Sequence, residues 1–303
     1  STGPFHIHIV GICGVATSAI AIALKDQGYK VTGSDKGFFP PVSTDLEKNG
    51  VYFYAGWHPE NIGEPNVIIA GGSGTSLSNP EIMYAKEKGI EVLSFAEAIG
   101  RYIVKDTSIV VTGTWGKTTI SSLLSFILLD NNMKPSYFTG GVSLSHKSGS
   151  LSDSNISVVE GDEYKTAIWD NKPKFYYYKP SHLILTAVSW DHADLYPSEK
   201  SYFDVFKNLI NSIPENGVIV ANKDNSGIKK ILDKAIFYGK ENADYVYKDI
   251  IQNENGLEFK IKHKDNTYDI KSQLLGSFQA ENITGAFAMA HNIGLSPEKI
   301  ISS

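Results

Sequence analysis

The sequence holds little that would take it out of the ordinary soluble globular proteins. A single cysteine, Cys13, in 303 residues rules out an internal disulfide and fits a reducing compartment. No segment reaches the roughly 20 apolar residues needed to span a bilayer. Ile7 to Leu24 is apolar, but Gly11 and Gly14 interrupt it and no basic segment precedes it, so it does not read as a secretory leader. Basic charge is also short: 28 Lys and Arg stand against 33 Asp and Glu, a formal net charge of −5. Without a basic stripe, neither nucleic acid nor an anionic membrane is an expected partner. No Ser-His-Asp or Cys-His set offers a nucleophile. The start, Ser1-Thr2-Gly3, lacks methionine and reads as a processed end. A cytoplasmic protein is expected.

What is present is a rhythm of short apolar runs alternating with helical spacing, over a length that suits about two domains at roughly 150 residues each. Strands are expected at Phe5–Val10, Lys30–Gly33, Val51–Tyr54, Val67–Ala70 and Glu91–Leu93, with helices at Ala16–Gln27, Val42–Asn49, Pro80–Lys88 and Phe95–Tyr102. A second series opens with a strand at Ser108–Thr112 and a helix at Thr118–Leu129. It continues through strands at Ile156–Val159, Leu183–Val188 and Val218–Ala221 to a helix at Ala280–Ile293. Leu257–Ile261 and Thr267–Ile270 alternate like an antiparallel pair. The expected fold is α/β: a Rossmann-like parallel-sheet domain over 1–106, then a phosphate-loop α/β domain with a small antiparallel sheet over 107–303.

Three constellations carry chemistry. Gly113-Thr114-Trp115-Gly116-Lys117-Thr118-Thr119 stands between a strand and a helix, where backbone N–H groups and the helix dipole suit phosphate. Lys117 would reach the β- and γ-phosphates of ATP, and the Thr118 hydroxyl would meet Mg²⁺. Two strand ends carry acidic loops, Glu160-Gly161-Asp162-Glu163 and Asp191-His192-Ala193-Asp194, placed to offer a magnesium ion hard ligands. Asp162 reads equally as a helix cap. Finally, Gly11-Ile12-Cys13-Gly14-Val15-Ala16 with Asp35 after the next strand reads as a dinucleotide fingerprint, which makes a nicotinamide oxidoreductase a rival function. A second nucleotide loop in the same chain counts against that rival.

The phosphate loop has two residues between its glycines instead of the usual four, and in this it resembles the Gly-Thr-x-Gly-Lys-Thr-Thr signature of the Mur ligases. The resemblance extends from Ile7 to Leu295. It implies an ATP- and Mg²⁺-dependent ligase of peptidoglycan synthesis or recycling, joining UDP-N-acetylmuramate to an amino acid or a tripeptide through an acyl phosphate. It implies Glu160 and His192, with Thr118, at the metal, and Asn222, Asp224 and Asn282 near the nucleotide. By the same resemblance Gly11 and Gly14 cradle the UDP diphosphate and Ser34-Asp35 lies toward the uridine. His58 and Asn61 fall in a further UDP-sugar element, Gly56 to Asn61. Lys207 stands at the spacing of a lysine that is carbamylated in some members.

The run from Glu160 to Trp169-Asp170, continuing to Tyr178, resembles the subfamily that adds a tripeptide; the subfamily that adds L-alanine is the alternative. The aromatic run Phe175 to Tyr178 could equally be a packed edge strand. Trp115, Ala187, Phe278 and Gln279 depart from the family pattern, which usually has His, Asn, His and Asn there; these departures favour a nucleotide-binding module that does not ligate. The resemblance also implies a third domain beyond Ser303 that binds the amine, so that this chain alone is expected to bind ligands but turn over slowly.

Overall fold

A computed structural model describes residues 3–71, 76–140, 147–167, 169–190 and 196–303. The chain forms two compact units. One comprises 1–104 with 136–153 and 164–178; the other comprises 105–135, 154–163 and 179–303.

The first unit begins with β1 (His6–Val10), α1 (Val15–Asp26), β2 (Lys30–Asp35), α2 (Val42–Lys48) and β3 (Tyr52–Ala55). It continues with β4 (Val67–Ala70), α3 (Pro80–Lys88), β5 (Glu91–Ser94) and α4 (Phe95–Tyr102). The five strands form a parallel sheet in the order β3-β2-β1-β4-β5. Local chemistry sets the helix ends. Asn79 accepts the Glu81 and Ile82 N–H groups, with Pro80 at the first helical position of α3, and Gly89 closes that helix at φ +69°. Ser94 and Glu97 make a capping box on α4.

The chain then enters the second unit with β6 (Thr107–Thr112) and α5 (Lys117–Asp130). It returns to the first for β7 (Ser136–Phe138) and β8 (Gly149–Ser150), an antiparallel pair with β8 lying against α1. After β9 (Ile156–Glu160) in the second unit, a hairpin of β10 (Lys165–Ala167) and β11 (Asp170–Pro173) belongs again to the first. The aromatic run Lys174–Tyr178 is a 3₁₀ turn packed on α4, not an edge strand: Gly100 lets the helix approach so closely that a Cβ there would overlap the Tyr177 carbonyl.

The rest of the second unit comprises β12 (His182–Leu185), α6 (Glu199–Ser212), β13 (Val218–Asn222), α7 (Ser226–Ile231), β14 (Ile236–Gly239), β15 (Tyr245–Asn253), β16 (Gly256–His263), β17 (Asn266–Ser272), α8 (Gln279–Asn292) and α9 (Pro297–Ile301). Its strands run β17-β16-β15-β14-β13-β12-β6-β9, parallel from β9 to β15 and antiparallel beyond. The antiparallel pair expected at Leu257–Ile261 and Thr267–Ile270 is present as β16 and β17, which continue the main sheet, while β10 and β11 form a separate small antiparallel sheet. Among the described residues, no helix is long and apolar enough to cross a membrane.

Candidate functional site: two glycine loops and a facing carboxylate

The strand order decides what meets at the phosphate loop. β6 lies between β9 and β12, and register pairs Val111 with Glu160 and Thr112 with Leu185. The carboxyl ends of three strands therefore stand together: Gly113 leaves β6, Glu160 ends β9, and Thr186 to Ser189 follow β12. Gly113 is held at φ +145° against the Thr186 hydroxyl, where a Cβ would overlap it. Gly116, at φ +81°, caps α5 with no side-chain bond, and no acidic residue sits in the helix's first turn. Lys117 opens that helix, so its ammonium and the free N–H groups share one end. Among the described residues, no hydrogen bond or ion pair engages that ammonium.

The loop is tied to the β12 end. Thr114 N–H donates to the Ala187 carbonyl at 2.8 Å, and Ser189 N–H donates to Thr114 Oγ1 at 2.9 Å. The Thr186 hydroxyl donates to the Trp115 carbonyl. Ala187, at the position where an asparagine was expected, is fully buried and contributes its carbonyl. Side-chain amides for this segment come from elsewhere: Asn222 Nδ2 donates to Thr186 O at 3.2 Å, and Asn225 Oδ1 accepts Val188 N–H at 3.1 Å.

The Thr118 hydroxyl donates to both oxygens of Glu160, at 2.9 Å each. Among the described residues there is no group of three or more His, Cys, Asp or Glu side chains that could hold a metal. Thr118 and Glu160 nonetheless form a donor set of hard oxygens beside a phosphate-type loop, which fits magnesium with most of its waters retained. Asp191, His192 and Asp194 lie outside the described residues. Asp162 caps no helix, since 161–163 lead into the β10–β11 hairpin. Lys207 is exposed on α6, whose inner face is Tyr202, Phe206 and Leu209.

On the other flank, Asn222 Nδ2 also donates to Glu281 at 2.6 Å, and Asp224 accepts Lys240 N–H at 2.8 Å. Burial, then the nearby Asp224 charge, pushes the Glu281 carboxyl above its ordinary value, against the opposing hydrogen bond from Asn222. Asn282 Oδ1 sits beside Gly116, about 3.0 Å from where a Cβ would be, and Phe278 is exposed at the start of α8. Asn282 thus borders the loop at Gly116, Asn222 reaches the Thr186 carbonyl that follows β12, and Asp224 holds the Lys240 N–H. Trp115 projects outward, half exposed.

In the first unit a cleft of about 430 Å³ is lined by Gly11, Cys13, Gly14, Asp35, Gly37, Phe38, Phe39 and Val42. Gly11, at φ +85°, turns the chain out of β1, and Gly14 caps α1 with no side-chain bond. Asp35 accepts Cys13 N–H at 2.9 Å. Burial and the Asp35 charge push the Cys13 thiol up to about 11. Ser34 does not face this cleft freely: its hydroxyl donates to Glu81 Oε1 at 2.8 Å. His8 Nε2 donates to the same oxygen at 2.7 Å, and His58 N–H donates to Glu81 Oε2 at 2.8 Å. Both His8 and Glu81 are fully buried. Burial pushes the Glu81 carboxyl up, but these hydrogen bonds outweigh it and hold the group below the usual value. The His58 ring points outward to Glu60 at 3.1 Å, and Asn61 is exposed. Glu81 closes the run Ser78-Asn79-Pro80-Glu81, which resembles a further family element of the UDP-sugar domain, but nothing in the sequence marks its side chain as the buried acceptor of this network.

These two units make a Rossmann-type domain joined to a phosphate-loop α/β domain, each opening a helix with a glycine loop. The chain belongs to the Mur ligase family: residues 6–106 match the Mur ligase family catalytic domain and residues 111–290 the Mur ligase middle domain. It is 30% identical over 300 residues to the UDP-N-acetylmuramate--L-alanyl-gamma-D-glutamyl-meso-2,6-diaminoheptandioate ligase of Haemophilus influenzae, covering 97% of this chain and 66% of that protein. To the UDP-N-acetylmuramate--L-alanine ligase of Dictyoglomus turgidum it is 31% identical over 299 residues, covering 96% of this chain and 62% of that one. The chain thus spans just under two thirds of the length of these curated relatives. The crystal structure of UDP-N-acetylmuramate:L-alanyl-gamma-D-glutamyl-meso-diaminopimelate ligase from Neisseria meningitides superposes with a TM-score of 0.88 at 26% identity, covering 99% of this chain and 97% of that one.

Proposed function

We propose that this chain supplies the nucleotide-sugar and ATP sites of a ligase that joins UDP-N-acetylmuramate to a peptide amine in peptidoglycan metabolism. The observation that carries this reading is the Thr118 hydroxyl on the Glu160 carboxylate at the free N-terminus of a helix opened by Lys117. Lys117 and the helix N–H groups hold the β- and γ-phosphates of ATP, with Gly113, Thr114, Gly116 and Thr119 shaping the loop. Thr118, Glu160 and His192 would hold magnesium, which would neutralise phosphate charge. Asn222, Asp224 and Asn282 border the nucleoside. Gly11, Gly14, Asp35, His58 and Asn61 serve the UDP-sugar, with Ser34 supporting them from behind through its bond to Glu81 and backbone N–H groups at the α1 terminus meeting the diphosphate.

The muramyl carboxylate attacks the γ-phosphorus, ADP leaves, and the incoming amine displaces phosphate from the acyl phosphate. Lys117 steadies the charge that builds on the phosphoryl oxygens; no protein nucleophile takes part. A tripeptide is the favoured amine, supported by the Glu160–Tyr178 segment and by the fold similarity to the Neisseria enzyme. L-Alanine is the second reading, supported by the 31% identity to the Dictyoglomus enzyme. The protein works in the cytoplasm, and the amine binds a third domain, additional to the two of this chain.

Two assays test this. UDP-N-acetylmuramate should protect Cys13, the only cysteine, from alkylation at alkaline pH, because that thiol lines the cleft. Unchanged alkylation would remove the cleft assignment. A form of the protein extended to its relatives' length should form ADP faster with tripeptide than with L-alanine, whereas this chain alone should be slow with both. Rapid tripeptide-dependent phosphate release by this chain would contradict the need for a third domain.

A further inference from the structure

α6 presents a tyrosine to the back of the phosphate loop. Tyr202 is fully buried, with its ring against Phe206 and Tyr196 at centroid distances of 5.2 and 5.3 Å. A phenylalanine would make the same ring contacts, so packing does not require the hydroxyl, and an unpaired buried hydroxyl is costly. That hydroxyl is paired on two sides. It donates to Glu163 Oε1 at 3.0 Å and lies 3.0 Å from Thr114 Oγ1 in the phosphate loop.

The proton directions follow from what each group can do. Glu163 is 3% exposed, and the Tyr202 hydroxyl donates to its Oε1. Thr114 Oγ1 already accepts Ser189 N–H, and its own proton has Tyr202 Oη as its shortest partner, ahead of carbonyls at 3.3 and 3.4 Å. The chain runs one way: Ser189 N–H to Thr114, Thr114 to Tyr202, Tyr202 to Glu163. The Tyr196 hydroxyl secures the far end by donating to the Glu163 carbonyl.

We propose that Tyr202 and Glu163 are positioning residues that brace the phosphate loop against the Glu160 loop from behind, fixing the space between Thr118 and Glu160 for a divalent cation. The proposal rests on reading Gly113–Thr119 as the ATP phosphate loop. Glu163 lies three residues beyond Glu160, so the brace joins the two loops that the front bond from Thr118 to Glu160 also joins. A cation held by the Thr118 and Glu160 oxygens would replace the front bond. The brace uses none of those oxygens and persists, so the loops keep their spacing when the ion enters.

The test is calorimetric binding of a non-hydrolysable ATP analogue, with Mg²⁺ and separately in a chelator, alongside thermal unfolding. Tyr202→Phe leaves the buried Glu163 carboxylate without that donor, so it should melt a few degrees below wild type, bind about tenfold more weakly with Mg²⁺, and change less than about twofold in the chelator. Glu163→Leu should follow it. Glu163→Gln, whose amide oxygen still accepts from Tyr202, should stay within about threefold of wild type. A Tyr202→Phe protein that binds as wild type with Mg²⁺, or that weakens equally with and without it, overturns the brace while leaving the phosphate loop intact. Failure of the wild-type chain to bind the analogue under either condition overturns the phosphate-loop reading and the brace with it.

Discussion

The two glycine loops share a backbone plan and differ in the side chains around it. Both follow a strand inside a parallel sheet, both contain a positive-φ glycine, and both open a helix whose N-terminus has no side-chain cap and no acidic residue in its first turn. Each therefore presents about half a positive charge and free N–H groups. The first loop adds no cation; an aspartate, Asp35, accepts one of its N–H groups, and phenylalanines line its cleft. The second adds Lys117, Thr118 and the facing Glu160. A helix terminus alone suits holding a diphosphate that does not react. A terminus with a lysine and a hard-oxygen pair suits moving a phosphoryl group, because charge can be met where it develops.

Removing the anchor beneath the first loop should have the largest effect. Glu81→Leu strips His8, Ser34 and His58 N–H of a shared buried acceptor, and thermal or denaturant unfolding should register a loss of about 3–5 kcal/mol. ATP affinity in whatever remains folded should be unaltered; a matching loss there would break the contrast between the loops. Gly113→Ala comes next. Its Cβ would overlap the Thr186 hydroxyl in a backbone conformation that side chains rarely adopt, so about 2–4 kcal/mol of stability should be lost. Wild-type stability in that variant would mean the loop is looser than described.

A smaller effect concerns pH. Burial, then the Lys30 charge, pushes the His6 ring down to about 4, whereas an unfolded histidine titrates near 6.5. The unfolded chain therefore binds more protons between these values, and stability falls as pH drops from about 6.5 toward 4. Glu81 adds to the fall below about 4.5, since its folded value is depressed. His6→Gln should flatten the upper part of that slope in unfolding measured across pH; an unchanged slope would contradict it. Trp115→His should matter least, shifting nucleotide affinity less than about threefold, because a half-exposed side chain leaves the backbone cradle intact.

Much of the fold could be read from glycine punctuation and short apolar strands, because buried parallel strands leave little room for polar residues. Strand β15 escaped that reading: its second half is exposed and a bulge between Lys248 and Ile251 breaks its alternation. The excursions of 136–153 and 164–178 into the first unit also escaped, since nothing local says which core a short strand will join. Within the site, Lys117, Thr118 and Glu160 were legible because their chemistry is tied to strand ends. Tyr202 was not, for at i, i+4 and i+7 with Phe206 and Leu209 it reads as one more core residue on α6. Only its hydroxyl separates it from packing, and its partners come from 39 and 88 residues away.

The most direct test of the central claim is titration of Mg²⁺–ATP into the wild-type chain and into Lys117→Ala, with UDP-N-acetylmuramate titrated in parallel. Loss of a charged phosphate contact should weaken ATP binding by about tenfold to a hundredfold and leave the UDP-sugar affinity unchanged. Equal ATP affinity in the two proteins would contradict the assignment of the second loop to ATP.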